Sequence, residues 1–364
     1  MIPGRATLEG TRRLSSRAEA SAGHFREAMG LSLSSLGLGT YLGEEDGETD
    51  RGYENSVEAA LGLSVNVFDS AINYRGQKSE RAIGRALAGA LGSGALARDE
   101  VFVSTKGGYL PHDAEDPRDP RTYVREEFAA CRVASSEIAG GVHCMAPDYL
   151  ADQLDKSRRN LGLETVDLYY LHNVETQLSA VDRKTFRRRL VAAAGFLEEA
   201  AGRGLIEAWG LATWNGLRVP PEHPEHVSLS ETLEAAREVA GERHHFRAVQ
   251  LPFNLGMAQA AVYRSQETAA GRVPALAAAE ELGLAAFGSA SLLQGRLAAG
   301  LPEDLRDAFP ECDTAARTAL QFARSAPGMT TALSGVSSPE HAQDNFGLSR
   351  VAPASADRIR ALFS

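Results

Sequence analysis

Four residues of this 364-residue chain have side chains and spacing suited to moving a proton: Asp69, Tyr74, Lys106 and His172. They stand at or just past the ends of apolar runs reading VNVFDSAINY, VFVSTKGG and VDLYYLHN. A free phenol has a pKa near ~10, too high for ready proton exchange at neutral pH. A neighbouring ammonium stabilises the phenolate and lowers that value. Lys106 is therefore expected to tune Tyr74, with Asp69 holding the lysine in place. His172 could hydrogen-bond a substrate oxygen and polarise a carbonyl. Such a group lets a tyrosine give its proton to an alkoxide as that alkoxide forms. The accompanying hydride must come from a cofactor, because no side chain supplies one. Each residue alone has an ordinary explanation: a turn aspartate, a solvated lysine, a structural histidine. Their joint appearance at successive strand ends makes them a candidate site.

Groups delivered from the ends of several parallel strands are what a βα barrel offers. Eight strand-like runs cover residues 34–41, 65–71, 101–107, 166–172, 206–213, 248–254, 284–291 and 330–336. Apolar or small residues line both faces, as buried parallel strands require. Helix-like segments alternate with them at 54–63, 79–91, 147–161, 184–201, 229–240, 274–282, 314–324 and 339–346. Strict alternation implies right-handed βαβ units, and eight of them imply an α/β fold, the (β/α)8 TIM barrel. An open doubly wound sheet is the alternative, but its first strand should lead into a glycine-rich phosphate loop. GLGTYLG lacks that spacing and is followed by the acidic EEDGETD, read as non-helical. Two connections are long, 109–146 and 214–228, and both fall on the C-terminal face. The first reads as a lid-like insertion after the third strand. Residues 1–25 form an Arg/Ser/Ala/Gly-rich N-terminal extension expected to be poorly ordered. Residues 26–364 make the barrel domain.

Bulk properties exclude several partner classes. Hydrophobic residues are 43% and charged residues 24%, an ordinary globular composition. A net charge of −10 with no long basic run argues against nucleic acid or an anionic membrane as partner. Three cysteines in a chain this long do not make a disulfide framework. No apolar h-region opens the sequence, and no apolar stretch approaches the ~20 residues of a membrane span, so a cytoplasmic location is expected. Cys131, His143 and Cys144 within the insertion are zinc-ligand types, but adjacent His-Cys lacks the usual ligand spacing, and no metal is expected.

Longer motifs point to one family. FDSAINYRGQKSERAIGRAL, STKGG, SRRNLGLETVDLYYLHN, GLIEAWGLATWN and VQLPFNL together resemble the aldo-keto reductases over roughly residues 30–350. The resemblance implies reduction of an aldehyde or ketone, or the reverse alcohol oxidation, by a nicotinamide cofactor, usually NADPH. By match Tyr74 is the general acid, Asp69 and Lys106 tune it, and His172 orients the carbonyl. Tyr41 and Trp214 join Tyr74 and His172 around a small-molecule carbonyl or alcohol substrate. His112, Tyr123 and His143 are further candidate neighbours by position.

LSGVSSPEHAQDNFG resembles the family's adenosine-binding turn. Ser337 and Ser338 precede a helix start at Pro339, where free N–H groups attract phosphate. Asp344 and Asn345 match the pair that contacts adenine. The positions that often carry Lys and Arg toward a 2′-phosphate are Gly335 and His341, which keeps NAD as a second option beside NADP. At the nicotinamide end Gln250, Thr213 and Ser289 match carboxamide- and ring-contacting positions. Gly39, Thr40 and Tyr41 match the ribose side, with Asp69 beside them. Leu292, Gln294, Gly295 and Arg296 match the loop over the pyrophosphate. Two other roles stay open on this reading: a cofactor-binding regulatory subunit with little turnover, and an isomerase using internal redox chemistry.

Overall fold

A computed structural model of the protein describes residues 1–363. Eight parallel strands close into a barrel: Leu36–Gly39, Val67–Asp69, Phe102–Gly107, Val166–His172, Ile206–Ala212, Phe246–Pro252, Ala285–Ser289 and Met329–Gly335. The eighth pairs with the first through Leu36↔Ala332 to Gly39↔Gly335, so no edge is left open. Each expected strand is present, with its ends within two residues of the expected bounds. The fourth strand, at Val166–His172, matches the sequence reading residue for residue.

Period-two alternation explains which side chains fill the barrel. Val67, Phe102, Leu168, Tyr170, Ala208, Ala248, Phe287 and Leu333 share one interior cluster. Their neighbours Phe68, Val103, Tyr169, Leu171, Trp209 and Val249 face the surrounding helices in the main core. Small residues inside make room for large ones. A Cβ on Gly210 would lie 2.9 Å from the Tyr170 ring, and Phe102 stacks on Phe287 at 5.8 Å. The same parity, carried one or two steps further, brings Asp69, Lys106 and His172 to the interior at the C-terminal end.

The outer helices include Gly47–Gly62, Lys78–Gly92, Pro147–Leu161, Arg183–Gly202, Leu229–Ala240, Ala275–Glu281, Ala315–Ser325 and Pro339–Gly347. The first begins earlier than the sequence suggested. Asp46 caps it by accepting from the Thr49 amide at 2.8 Å, so the acidic EEDGETD runs into a helix after all.

Residues 1–25 also differ from expectation. Leu8–Arg17 is a helix whose Thr7 hydroxyl accepts from the Gly10 amide at 3.0 Å. Arg13 pairs with Asp99 at 2.6 Å, and Arg17 with the buried Glu100. Ala6 is buried within the interior cluster, and its amide donates to Asp167 at 2.7 Å. The segment seals the barrel floor, and an antiparallel hairpin, Phe25–Ala28 with Leu31–Ser34, leads into the first strand. Its Arg/Ser/Ala-rich composition hid the fact that Arg13 and Arg17 have half-buried or buried acidic partners.

The insertion 109–146 contains a helix at Pro120–Ala130 and a short turn at Ser135–Glu137. Its Phe128 and Cys144 form a small apolar cluster with Tyr149 of the following helix. Tyr109 and His143 bridge at its base, which fixes the insertion to the third strand's end. Among the described residues, no helix is long and apolar enough to cross a membrane.

Candidate active site

A cleft of about 360 Å³ opens at the C-terminal face of the barrel. Asp69, Tyr74 and His172 line it, and Lys106 lies fully buried beneath. The Lys106 ammonium donates to Asp69 Oδ2 at 2.5 Å and to the Ser70 carbonyl at 2.6 Å. Two more donors reach the other carboxylate oxygen, Ser104 Oγ at 2.7 Å and Gln250 Nε2 at 2.9 Å. The aspartate is thus held from two strands besides its own, Phe102–Gly107 and Phe246–Pro252. Charge-assisted contacts of this kind in a dry interior are strong and well aligned.

Tyr74 sits in the turn after the second strand, its amide bonded to the Ala71 carbonyl at 3.0 Å. The next residue, Arg75, anchors this turn: it is buried and binds Asp50 at 2.7 Å and the Glu44 carbonyl at 2.7 Å. Lys106 Nζ lies 4.8 Å from the centre of the Tyr74 ring, and the His172 ring meets the same ring edge-on at 5.7 Å. Burial and the Asp69 charge hold the Tyr74 phenol well above its ordinary pKa. This corrects the expectation that the ammonium lowers it. Lys106 spends its hydrogen bonds on Asp69 and Ser70, not on the phenol. The result is a phenol that stays protonated at neutral pH. Burial, helped by the Lys106 charge, holds His172 well below the usual imidazole range, so its ring is neutral. Burial also lowers Lys106, against the pull of Asp69.

Most of the expected cofactor positions gather around the same cleft. Gly39, Thr40, Tyr41, Thr213, Gln250, Ser289, Leu292, Gln294, Gly295 and Gly335 all line it. Gln250 does so with its amide nitrogen committed to Asp69. The Thr213 hydroxyl is buried with no hydrogen-bond partner among the described residues. Ala290, Leu293 and Gln294 adopt left-handed backbone at φ 53°, 48° and 54°, followed by Gly295 at 85°. Strain of roughly 1 kcal/mol per residue persists where a loop is shaped for a ligand, and such loops turn amides toward anions.

Apart from Gly335, the adenosine-side residues lie outside the cleft. Ser337 and His341 are exposed, and Arg296 is exposed beside them in the pyrophosphate loop. Ser338 caps its helix, accepting from the His341 amide at 3.4 Å, and donates to Glu340 at 2.7 Å. Asp344 accepts from Thr314 at 3.0 Å, and the buried Asn345 donates to Ser334 at 3.1 Å.

Of the further substrate neighbours, Trp214 lines the cleft and three do not. His112 pairs with Glu45 on the rim at 2.9 Å. Tyr123 is buried against Gln77 at 3.1 Å. His143 is fully buried behind His172, with Nε2 2.6 Å from its carbonyl oxygen. The insertion therefore contributes Tyr109 to the cleft wall and braces it from behind; it does not cover it as a lid.

Among the missed residues that line or shape the cleft, four bear on its chemistry. Asn73 and Asn173 line it, as does Tyr109, which receives a bond from Asn173 at 3.1 Å. Glu175 is buried and accepts the amides of Trp214 at 2.6 Å and Asn215 at 2.9 Å, which fixes the tryptophan's loop. Its partners are backbone groups, so no side-chain pattern announces it.

The family model described as the aldo/keto reductase family matches residues 35–219, just over half of the chain. This chain belongs to the aldo/keto reductase family. As a member it is an oxidoreductase of carbonyl and alcohol groups. Solved structures agree with it in fold at low identity. An aldo/keto reductase from Klebsiella pneumoniae, in complex with NADP and acetate, superposes with a TM-score of 0.60 at 18% identity, covering 95% of this chain and 94% of that one. A glycerol dehydrogenase from Gluconobacter oxydans gives 0.61 at 21%, covering 94% and 95%. The holo form of an aldo-keto reductase from Bacillus halodurans gives 0.60 at 18%, covering 93% and 95%. The unpartnered Thr213 hydroxyl and the left-handed loop at 290–295 fit a nicotinamide nucleotide on this face.

Proposed function

We propose that this protein reduces an uncharged aldehyde or ketone with NADPH, Tyr74 supplying the proton. The observation that carries this reading is a buried phenol kept protonated beside a neutral imidazole and above an Asp-Lys pair. When bound, the nucleotide supplies the hydride that the carbonyl carbon accepts. Tyr74 donates its proton to the carbonyl oxygen as negative charge grows there. His172, neutral, gives an N–H hydrogen bond to that oxygen without adding a competing acid. The phenolate left on Tyr74 has a high proton affinity, which restores the phenol from solvent. Asp69 keeps Lys106 charged and in place.

Thr213, Ser289 and Gln250 would hold the nicotinamide end. Leu292, Gln294, Gly295 and Arg296 would cover the pyrophosphate, with Gly39, Thr40 and Tyr41 at the ribose. Gly335, Ser337, Ser338, His341, Asp344 and Asn345 would receive the adenosine half.

The substrate's class follows from what lines the cleft. Tyr41, Leu42 and Trp214 are exposed apolar side chains at the mouth. Asn73, Tyr109 and Asn173 add neutral polar groups. No lysine or arginine is among the lining residues, and Glu44 and Glu45 are exposed on the loop just beyond Leu42. Nothing there would balance a carboxylate. The deciding experiment is Tyr74→Phe. Turnover of any aldehyde the wild type reduces should fall by about 10²–10⁴, with NADPH affinity kept. Unchanged turnover would remove Tyr74 from the chemistry.

A further inference from the structure

His143 belongs to the insertion, is absent from the cleft wall, and is nevertheless bonded to the backbone of His172. Its surroundings fix what it can do. Arg189, on the helix Arg183–Gly202, donates through Nη1 to Gln177 Oε1 at 2.5 Å and through Nη2 to the Ser136 carbonyl at 2.7 Å. A guanidinium has no acceptor, so the oxygen of the Gln177 amide must face it. The Gln177 NH2 group then points at His143, donating to Nδ1 at 2.9 Å and to the His143 carbonyl at 3.1 Å. A ring nitrogen that accepts carries no hydrogen, so the neutral imidazole has its proton on Nε2. That N–H faces the His172 carbonyl at 2.6 Å.

The approach is possible only because residue 108 is a glycine. A Cβ there would stand 2.6 Å from His143 Nε2, and its φ of +139° is one that other residues rarely adopt. Tyr109 completes the bracket, edge-on to both the His143 ring at 5.3 Å and the His172 ring at 5.0 Å. His172 ends its strand, and Asn173 turns the chain away in left-handed backbone, so no further strand pairing fixes that carbonyl from the insertion's side.

We propose that His143, locked as its Nε2–H tautomer by Arg189 through Gln177, is a positioning residue that sets where the His172 ring meets the substrate oxygen. The proposal rests on the reductase reading above. Through this relay the insertion and the helix Arg183–Gly202 act on the chemistry without touching substrate. Burial keeps the His143 ring neutral, with its pKa pushed down to about 4, which suits a single fixed tautomer at neutral pH.

Three full-length variants test it. In His143→Leu, kcat should fall by about 10- to 100-fold, since small misplacements of a catalytic group cost that much, with the NADPH dissociation constant unchanged. His143→Gln restores an N–H toward the carbonyl and should recover most of kcat. In Gln177→Glu a carboxylate faces Nδ1 and draws the proton there. That variant should lose kcat at high pH and regain it as the ring becomes doubly protonated, an ionisation the wild type does not show. Equal kcat in all three would overturn the proposal.

Ring 15N spectra give a readout independent of turnover. The expected result is an Nε2–H tautomer for His143, with His172 signals displaced in His143→Leu and restored in His143→Gln. An Nδ1–H tautomer, or His172 signals that ignore both variants, would overturn the proposal even if His143→Leu were too unstable to assay. Displaced signals in a protein that reduces no aldehyde would support the bracket and overturn the reductase reading instead.

Discussion

The floor of the cleft and its outer rim are built by opposite means. Asp69, Lys106 and His172 stand on strands, and every polar atom of the Asp69 carboxylate has donors from neighbouring strands. The adenosine-side residues Gly335, Ser337 and His341 are exposed at a strand end, on a loop and at a helix end, and among the described residues Arg296 makes no ion pair. The difference separates two demands. Proton transfer needs groups held within fractions of an ångström in low dielectric, which a barrel interior supplies. A long flexible nucleotide can be held by many weak contacts that individually tolerate change.

Four measurements would break or sharpen that contrast. The largest effect is expected at the floor. Asp69→Ala leaves the Lys106 ammonium buried without its counter-ion and should cost about 3–5 kcal/mol of stability, read as a fall in the denaturation midpoint. Loss of under about 1 kcal/mol would mean the pair behaves like a surface contact.

Acid should act next. His24 and His143 are buried, and their pKa values are pushed down to about 4 from 6.5. Below pH 6.5 the unfolded chain binds these protons and the fold does not, so stability falls as pH drops from 6.5 to about 4. The loss should approach on the order of 3 kcal/mol for each ring. A flat stability profile through that window would contradict their neutral burial.

A tenfold effect is expected at the mouth. Benzaldehyde and 4-carboxybenzaldehyde have similar carbonyl reactivity, and kcat/KM should be about tenfold lower, roughly 1.4 kcal/mol, for the acid. Equal values would mean the cleft recruits a cation from elsewhere. The smallest effect belongs to the rim. Glu340 accepts from the Ser338 hydroxyl at the helix start where a 2′-phosphate would approach. Glu340→Gln should tighten NADPH over NADH by a few-fold, about 0.5–1 kcal/mol, in a fluorescence titration. No change in that ratio would place the phosphate away from this turn.

The same contrast governs how much could be read from sequence. Strand residues obey a two-residue period, so the ends at Asp69, Lys106 and His172 were legible, and the fourth strand was bounded correctly at both ends. What crosses between strands was not. Ser104 meets Asp69 because of register, Asp69↔Ser104, which no local pattern encodes. The direction of the Tyr74 shift was misread because a nearby ammonium can serve a carboxylate before it serves a phenol. His143 was expected at the substrate, and its place depends on Gln177 and Arg189, 34 and 46 residues on in the sequence. The left-handed run at Ala290, Leu293 and Gln294 carries no glycine where one would signal it. The N-terminal helix was lost to composition, although Thr7 and the arginines that meet Asp99 and Glu100 were visible as types.

That N-terminal segment has a consequence for the order in which the molecule assembles. Ala6 reaches its carboxylate partner across 161 residues of sequence, on a strand that must first lie between its own neighbours. Contacts of such separation carry a large closure entropy and tend to form late. The barrel can therefore gather its walls before its floor is shut. A chain shortened by its first ten residues should still reach a compact state, but one that opens more readily from below, with faster amide exchange around Asp167 than around Asp69.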